Sequence, residues 1–97
     1  MNVYRAWISD DRPCGSAGAI ETEKMFSERA GALKWLADWI KDDLDDNDDL
    51  DPDVAQRLLG LHESGRYEEL IAEYPSHITV EWNAMPLRMG VSEQTVE

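Results

Sequence analysis

A chain of 97 residues has room for one domain with one modest core and too little for two. Its 21 acidic side chains against 9 basic ones leave a formal charge of −12, which argues against direct binding to nucleic acid or to an anionic membrane surface, because both need cations at the contact. Apolar residues make up 42% and include Trp7, Trp35, Trp39 and Trp82, a composition that folds and is unlike an aromatic-poor acidic tail.

The opening MNVYRAWISDD has no basic stretch followed by an apolar one, and nowhere do 18 apolar residues run together. Cys14 is the single cysteine, so no internal disulfide can form and nothing marks an oxidising compartment. The expectation is a soluble intracellular protein that does not enter a membrane. Residues 2–9 alternate as a strand does, with Tyr4, Ala6 and Ile8 on one face and Val3, Arg5 and Trp7 on the other. DDRPCGSAG at 10–18 is turn chemistry, and a second strand over about 19–26 makes the opening a β-hairpin with a long loop.

Ser27 is a good N-cap for a helix predicted over 28–44. At 100° per residue, Ala30, Leu33, Leu36, Ala37, Ile40 and Leu44 form its core-facing stripe, Trp35 projects nearly opposite, and Trp39 lies at the edge. Asp51 followed by Pro52 opens a second helix over 52–64, with Val54, Leu58 and Leu61 inward and Gly65 as its stop. A third helix, over 66–74, carries Tyr67, Leu70, Ile71 and Tyr74 at helical spacing and closes at Pro75. HITVEW at 77–82 alternates as a half-buried strand. Residues 85–91 read as an edge strand or arm because Pro86 and Gly90 interrupt them, and 92–97 as a frayed tail. Strands at both ends with helices between imply an α+β domain, its small, mostly antiparallel sheet covered on one face by three helices.

Nine aspartates stand between Asp38 and Asp53, with Lys41 the one cation among them. Carboxylates this crowded repel one another and lower the stability of the fold, so the field they create asks for a use. A calcium loop counted from Asp43 places Asp45 and Asn47 correctly but fails at Asp48, where a glycine is needed, and at Val54, where a bidentate glutamate is needed. No metal site and no cofactor are expected. A surface that docks a basic partner fits better. Asp38 and Asp42 share a helical face with Trp35, neighbours three and four apart being about 5–6 Å from each other at Cβ, and Asp43 stands near Trp39. Asp45, Asp46, Asp48 and Asp49 continue the charge, and the two tryptophans are candidate anchors within it. Glu68, Glu69 and Glu73 on the third helix form a second acidic patch. Such spacings, with about 6.6 Å between alternate strand residues, are close to those of successive phosphates. The surface therefore suits a lysine and arginine groove built for a polyanion.

With its small size, its acidity, the stretch DDLDDNDDLDPD and its tryptophans, the chain resembles the phage-encoded nucleic-acid mimics, the small anti-CRISPR and anti-restriction proteins. The likeness is one of general character along the whole chain, without a diagnostic motif. It implies inhibition without catalysis, by occupying the DNA- or RNA-binding surface of a subunit of a host defence complex, as a monomer or small homo-oligomer. Two other readings use the same residues: an immunity protein or antitoxin that neutralises a cognate basic nuclease, and an accessory domain whose acidic face is merely solvated.

Motifs of catalysis are incomplete. Cys14-Gly15-Ser16 lacks the histidine and the chain length of a cysteine protease. His62-Glu63 has Arg66 where a zinc protease needs its second histidine, which leaves His62 as a hydrogen-bonded structural residue. A single helical hairpin of tetratricopeptide type over LLGLHESGRYEELIAEYP has no second copy to stack on.

Overall fold

The computed structural model describes residues 2–11, 20–46, 50–80 and 86–95. Three strands, β1 (Asn2–Asp10), β2 (Ile20–Phe26) and β3 (Leu87–Thr95), form one sheet in the order β2-β1-β3. Both pairings are antiparallel, Tyr4 standing opposite Phe26 on one side and Glu93 on the other. Three helices lie between β2 and β3 in the chain: α1 (Arg29–Asp46), α2 (Pro52–Glu63) and α3 (Tyr67–Glu73), the last running into a 3-10 turn at Tyr74–His77. This is an α+β fold with strands at both ends.

Alternation along β1 divides the sheet into two unlike faces. Ala6 and Ile8 are buried beneath the helices, together with Leu87 of β3. On α1 the buried residues are Ala32, Leu36, Ala37, Ile40 and Leu44, and Leu58, Leu61, Leu70, Ile71, Tyr74 and Ile78 complete the core from the other helical side. Each large apolar side chain so placed contributes about 1.5–3 kcal/mol of transfer free energy. The stripe expected on α1 is displaced at its start, since Ala32 is buried while Ala30 is exposed and Leu33 half-buried. Ala30 sits in the first turn and shares a surface groove with Gly65, Arg66 and Tyr67.

α2 is bounded as its sequence foretells. Asp51 caps it, its carboxylate accepting the Asp53 backbone N–H at 2.8 Å, and Pro52 takes the first helical position, where its missing N–H costs nothing. At the other end Gly65 adopts φ +76°. The Gly65 N–H then reaches the His62 carbonyl at 3.1 Å and the Arg66 N–H the Leu61 carbonyl at 2.9 Å, which is the bonding of a Schellman stop.

Two expectations need correction. The predicted strand at 77–82 is not formed where it is described: His77 belongs to the 3-10 turn, Ile78 and Thr79 have no regular structure and Val80 makes an isolated bridge, while Glu81 and Trp82 lie outside the described residues. Pro75, expected to close α3, instead stands inside the following turn, and the Ile78 N–H bonds back to its carbonyl at 3.2 Å. The fixed φ of proline suits that turn, which holds the start of the segment out of an extended conformation. The predicted tail is the second correction. Residues 92–95 are strand, because Asn2, Val3, Tyr4 and Arg5 pair with Thr95, Gln94, Glu93 and Ser92 and so satisfy backbone groups that local sequence leaves open.

Candidate partner-binding face

The carboxylates of the acidic run have different fates, decided by which neighbour the fold gives each. Asp38, on the exposed flank of α1, accepts a hydrogen bond from the His62 imidazole of α2 at 2.9 Å, which becomes an ion pair whenever that ring is protonated. His62 also rests against Tyr67, ring centres 5.6 Å apart, and so acts as a structural clasp between helices. Asp43 is half-buried and accepts the hydroxyl of Tyr74, whose ring is fully buried. Asp42, Asp45 and Asp46 are exposed and have no partner among the described residues. Asp51 is engaged as the α2 cap, and Asp53 is exposed in the first turn of α2. Asp48 and Asp49 lie outside the described residues.

Trp35 and Trp39 are half-buried and pack against the core. Trp35 is covered from the sheet side by Phe26 at the end of β2, with ring centres 6.0 Å apart and planes tilted by 52°. The fold thus gives the flank of α1 opposite its main stripe a partial cover, and each indole offers a partner only part of its surface.

The second patch is neutralised in place. Glu68 pairs with Arg29 of α1, Glu69 with Arg66 at 2.7 Å, and Glu73 with Arg57 of α2 at 2.9 Å. His77 stands a further 3.9 Å from the Glu73 carboxylate. Such exposed pairs contribute little to stability, typically ~0–1 kcal/mol, yet they cancel the local field. Of the acidic run, Asp42, Asp45 and Asp46 at the end of α1 and Asp53 at the start of α2 are the exposed carboxylates without a partner among the described residues.

Local physics works against this placement. The last turn of α1 contains no basic residue, and its carboxylates face the negative end of the helix dipole, at a cost of about 0.3–1 kcal/mol each. Among the described residues no group of three or more His, Cys, Asp or Glu side chains converges to hold a metal ion, and no helix is long and apolar enough to cross a membrane. No protein-family model matches the chain, and neither a similar curated protein nor a similar solved structure was found.

Glu21 and Glu23, which share one face of β2 as their alternate spacing predicts, stand on the outer face of the sheet, where with Arg5, Trp7 and Arg88 they line a surface depression; the acidic pattern does not foretell the depression itself. The signal for it was present in Gly90. A glycine across from a tryptophan in a paired strand marks a place where a ring lies against the backbone.

Proposed function

We propose that this chain is a non-catalytic acidic binder that occupies a basic, nucleic-acid-binding surface of another protein, a subunit of a host defence complex in the cytoplasm, and blocks it. One observation carries the reading: the fold neutralises the glutamates of α3 with arginines but leaves Asp42, Asp45 and Asp46 exposed and without partners among the described residues, at the helix end where the dipole disfavours them. Carboxylates held where the fold gains nothing from them fit a use outside the chain, the field they present to a cationic partner. Helical spacing of about 5–6 Å between neighbouring carboxylates supports a mimic of a phosphate row, and Asp53, at the start of the next helix, extends it.

The test is recovery of partners from host lysate at low salt, identified by mass spectrometry. Nucleic-acid-binding proteins should be retained and should be released by competing DNA or RNA. Retention should fall at least about tenfold as salt rises from roughly 50 to 300 mM, because charge steering is screened. Asp42→Lys with Asp45→Lys and Asp46→Lys should abolish retention, while Glu63→Lys with Glu93→Lys should leave most of it. Equal behaviour of the two sets would remove the α1 end as the contact.

A further inference from the structure

We propose that the outer face of the sheet holds a receptor for one arginine side chain. The register lays three rows across this face: Glu21, Ser9 and Arg88; then Glu23, Trp7 and Gly90; then Met25, Arg5 and Ser92. The Trp7 indole leans over Gly90, where a Cβ would come 3.1 Å from Cζ2 and 3.3 Å from Cε2 and Nε1. With the ring displaced towards β3, a trough of about 530 Å³ opens beside it, walled on the β2 side by Glu21 and Glu23 and bounded by Arg5, Ser9 and Arg88.

The ligand follows from the charges left over. Arg5 and Glu23 form an ion pair, whereas Glu21 and Arg88 have no partner among the described residues. Two strand spacings, about 9.5 Å, separate the backbones of Glu21 and Arg88, and the two side chains make no ion pair across the trough. An anion drawn to Arg88 must approach a chain of charge −12, whereas a cation drawn to Glu21 approaches with that field. The indole then selects among cations. A guanidinium stacks on an aromatic face while its N–H groups fork onto a carboxylate, and an ammonium does this less well.

This inference rests on the proposed function only for the source of the arginine. The domain is one sheet and one helical layer thick, 18 Å along its shortest axis, so a cleft that takes in the acidic end also has a wall facing the outer sheet.

The test is an NMR titration of the full chain with N-acetylargininamide, beside N-acetyllysinamide and adenosine monophosphate, following the indole N–H signal of Trp7, assigned with Trp7→Phe. The arginine probe should move that signal and the amides of Glu21, Thr22 and Glu23 saturably in the millimolar range. The lysine probe should bind about threefold more weakly or worse, and Glu21→Gln should weaken the arginine probe by about threefold or more. Glu63→Gln, at the end of α2, should leave the titration essentially unchanged. Absence of saturation, a preference for the nucleotide, equal response to lysine, or indifference to Glu21→Gln overturns the proposal. Because the probe needs no partner protein, a trough that binds arginine in a chain that captures no basic partner would overturn the proposed function alone.

Discussion

Two glycines five residues apart make opposite demands on the backbone. Gly60 lies within α2 with open space where a Cβ would stand, so Gly60→Ala should stabilise the fold by about 0.5–1 kcal/mol through the helix propensity alone. Gly65 holds φ +76° in the stop that follows, and Gly65→Ala should destabilise by about 1–2 kcal/mol, the cost of a left-handed conformation for a residue with a Cβ. Urea unfolding of the two variants would check both signs, and a loss at Gly60 would mean that α2 packs more closely than it does here. At this scale the sequence was an uneven guide. It marks Gly65 and the Asp51-Pro52 cap plainly, yet it cannot distinguish Asp42 from Asp43, adjacent and chemically identical, of which one is exposed and the other meets Tyr74 from thirty-one residues away.

Among the elements, α1 carries the conflict between stability and use. If its end is a docking surface, removing charge should make the fold firmer as it makes binding weaker. Asp45→Asn with Asp46→Asn should therefore raise unfolding free energy by about 0.3–1 kcal/mol for each site at low ionic strength, with the gain shrinking as salt is added. Unfolding curves at two salt concentrations measure it. No gain would mean that these carboxylates have partners that offset the dipole. The helices were legible because their apolar spacing and caps are local signals. The sheet was only half legible: β1 alternates in its own sequence and the turn chemistry of 10–18 points to β2 as its hairpin partner, but β3 runs on through Ser92, Glu93, Gln94 and Thr95 because β1 offers it hydrogen bonds. HITVEW alternates as well and yet is not a strand over its described part, because the 3-10 turn around Pro75 takes His77 and bonds the Ile78 N–H.

For the molecule as a whole, a charge of −12 is a standing repulsion that salt relieves. The melting temperature should rise when sodium chloride increases from about 20 to 500 mM, over which the screening length falls from roughly 20 Å to about 4 Å. A scan of thermal unfolding against salt checks this, and a flat response would mean that the ion pairs of α3 lose to screening as much as the aspartates gain. That the chain is acidic is legible at once. Where the acid remains uncompensated depends on Arg29, Arg57 and Arg66 meeting Glu68, Glu73 and Glu69, two of these pairs joining different helices, and no spacing rule reaches across helices.

The middle strand of the sheet is the first one made, and its second neighbour is the last. At roughly 5–20 residues per second of synthesis, β1 leaves the ribosome some seconds ahead of β3, and for that interval the side of β1 that β3 later covers stands open in the nascent chain. The acidic run of α1 and α2 is made before β3, so chains growing side by side carry like charge, which opposes their pairing, while that edge is uncovered.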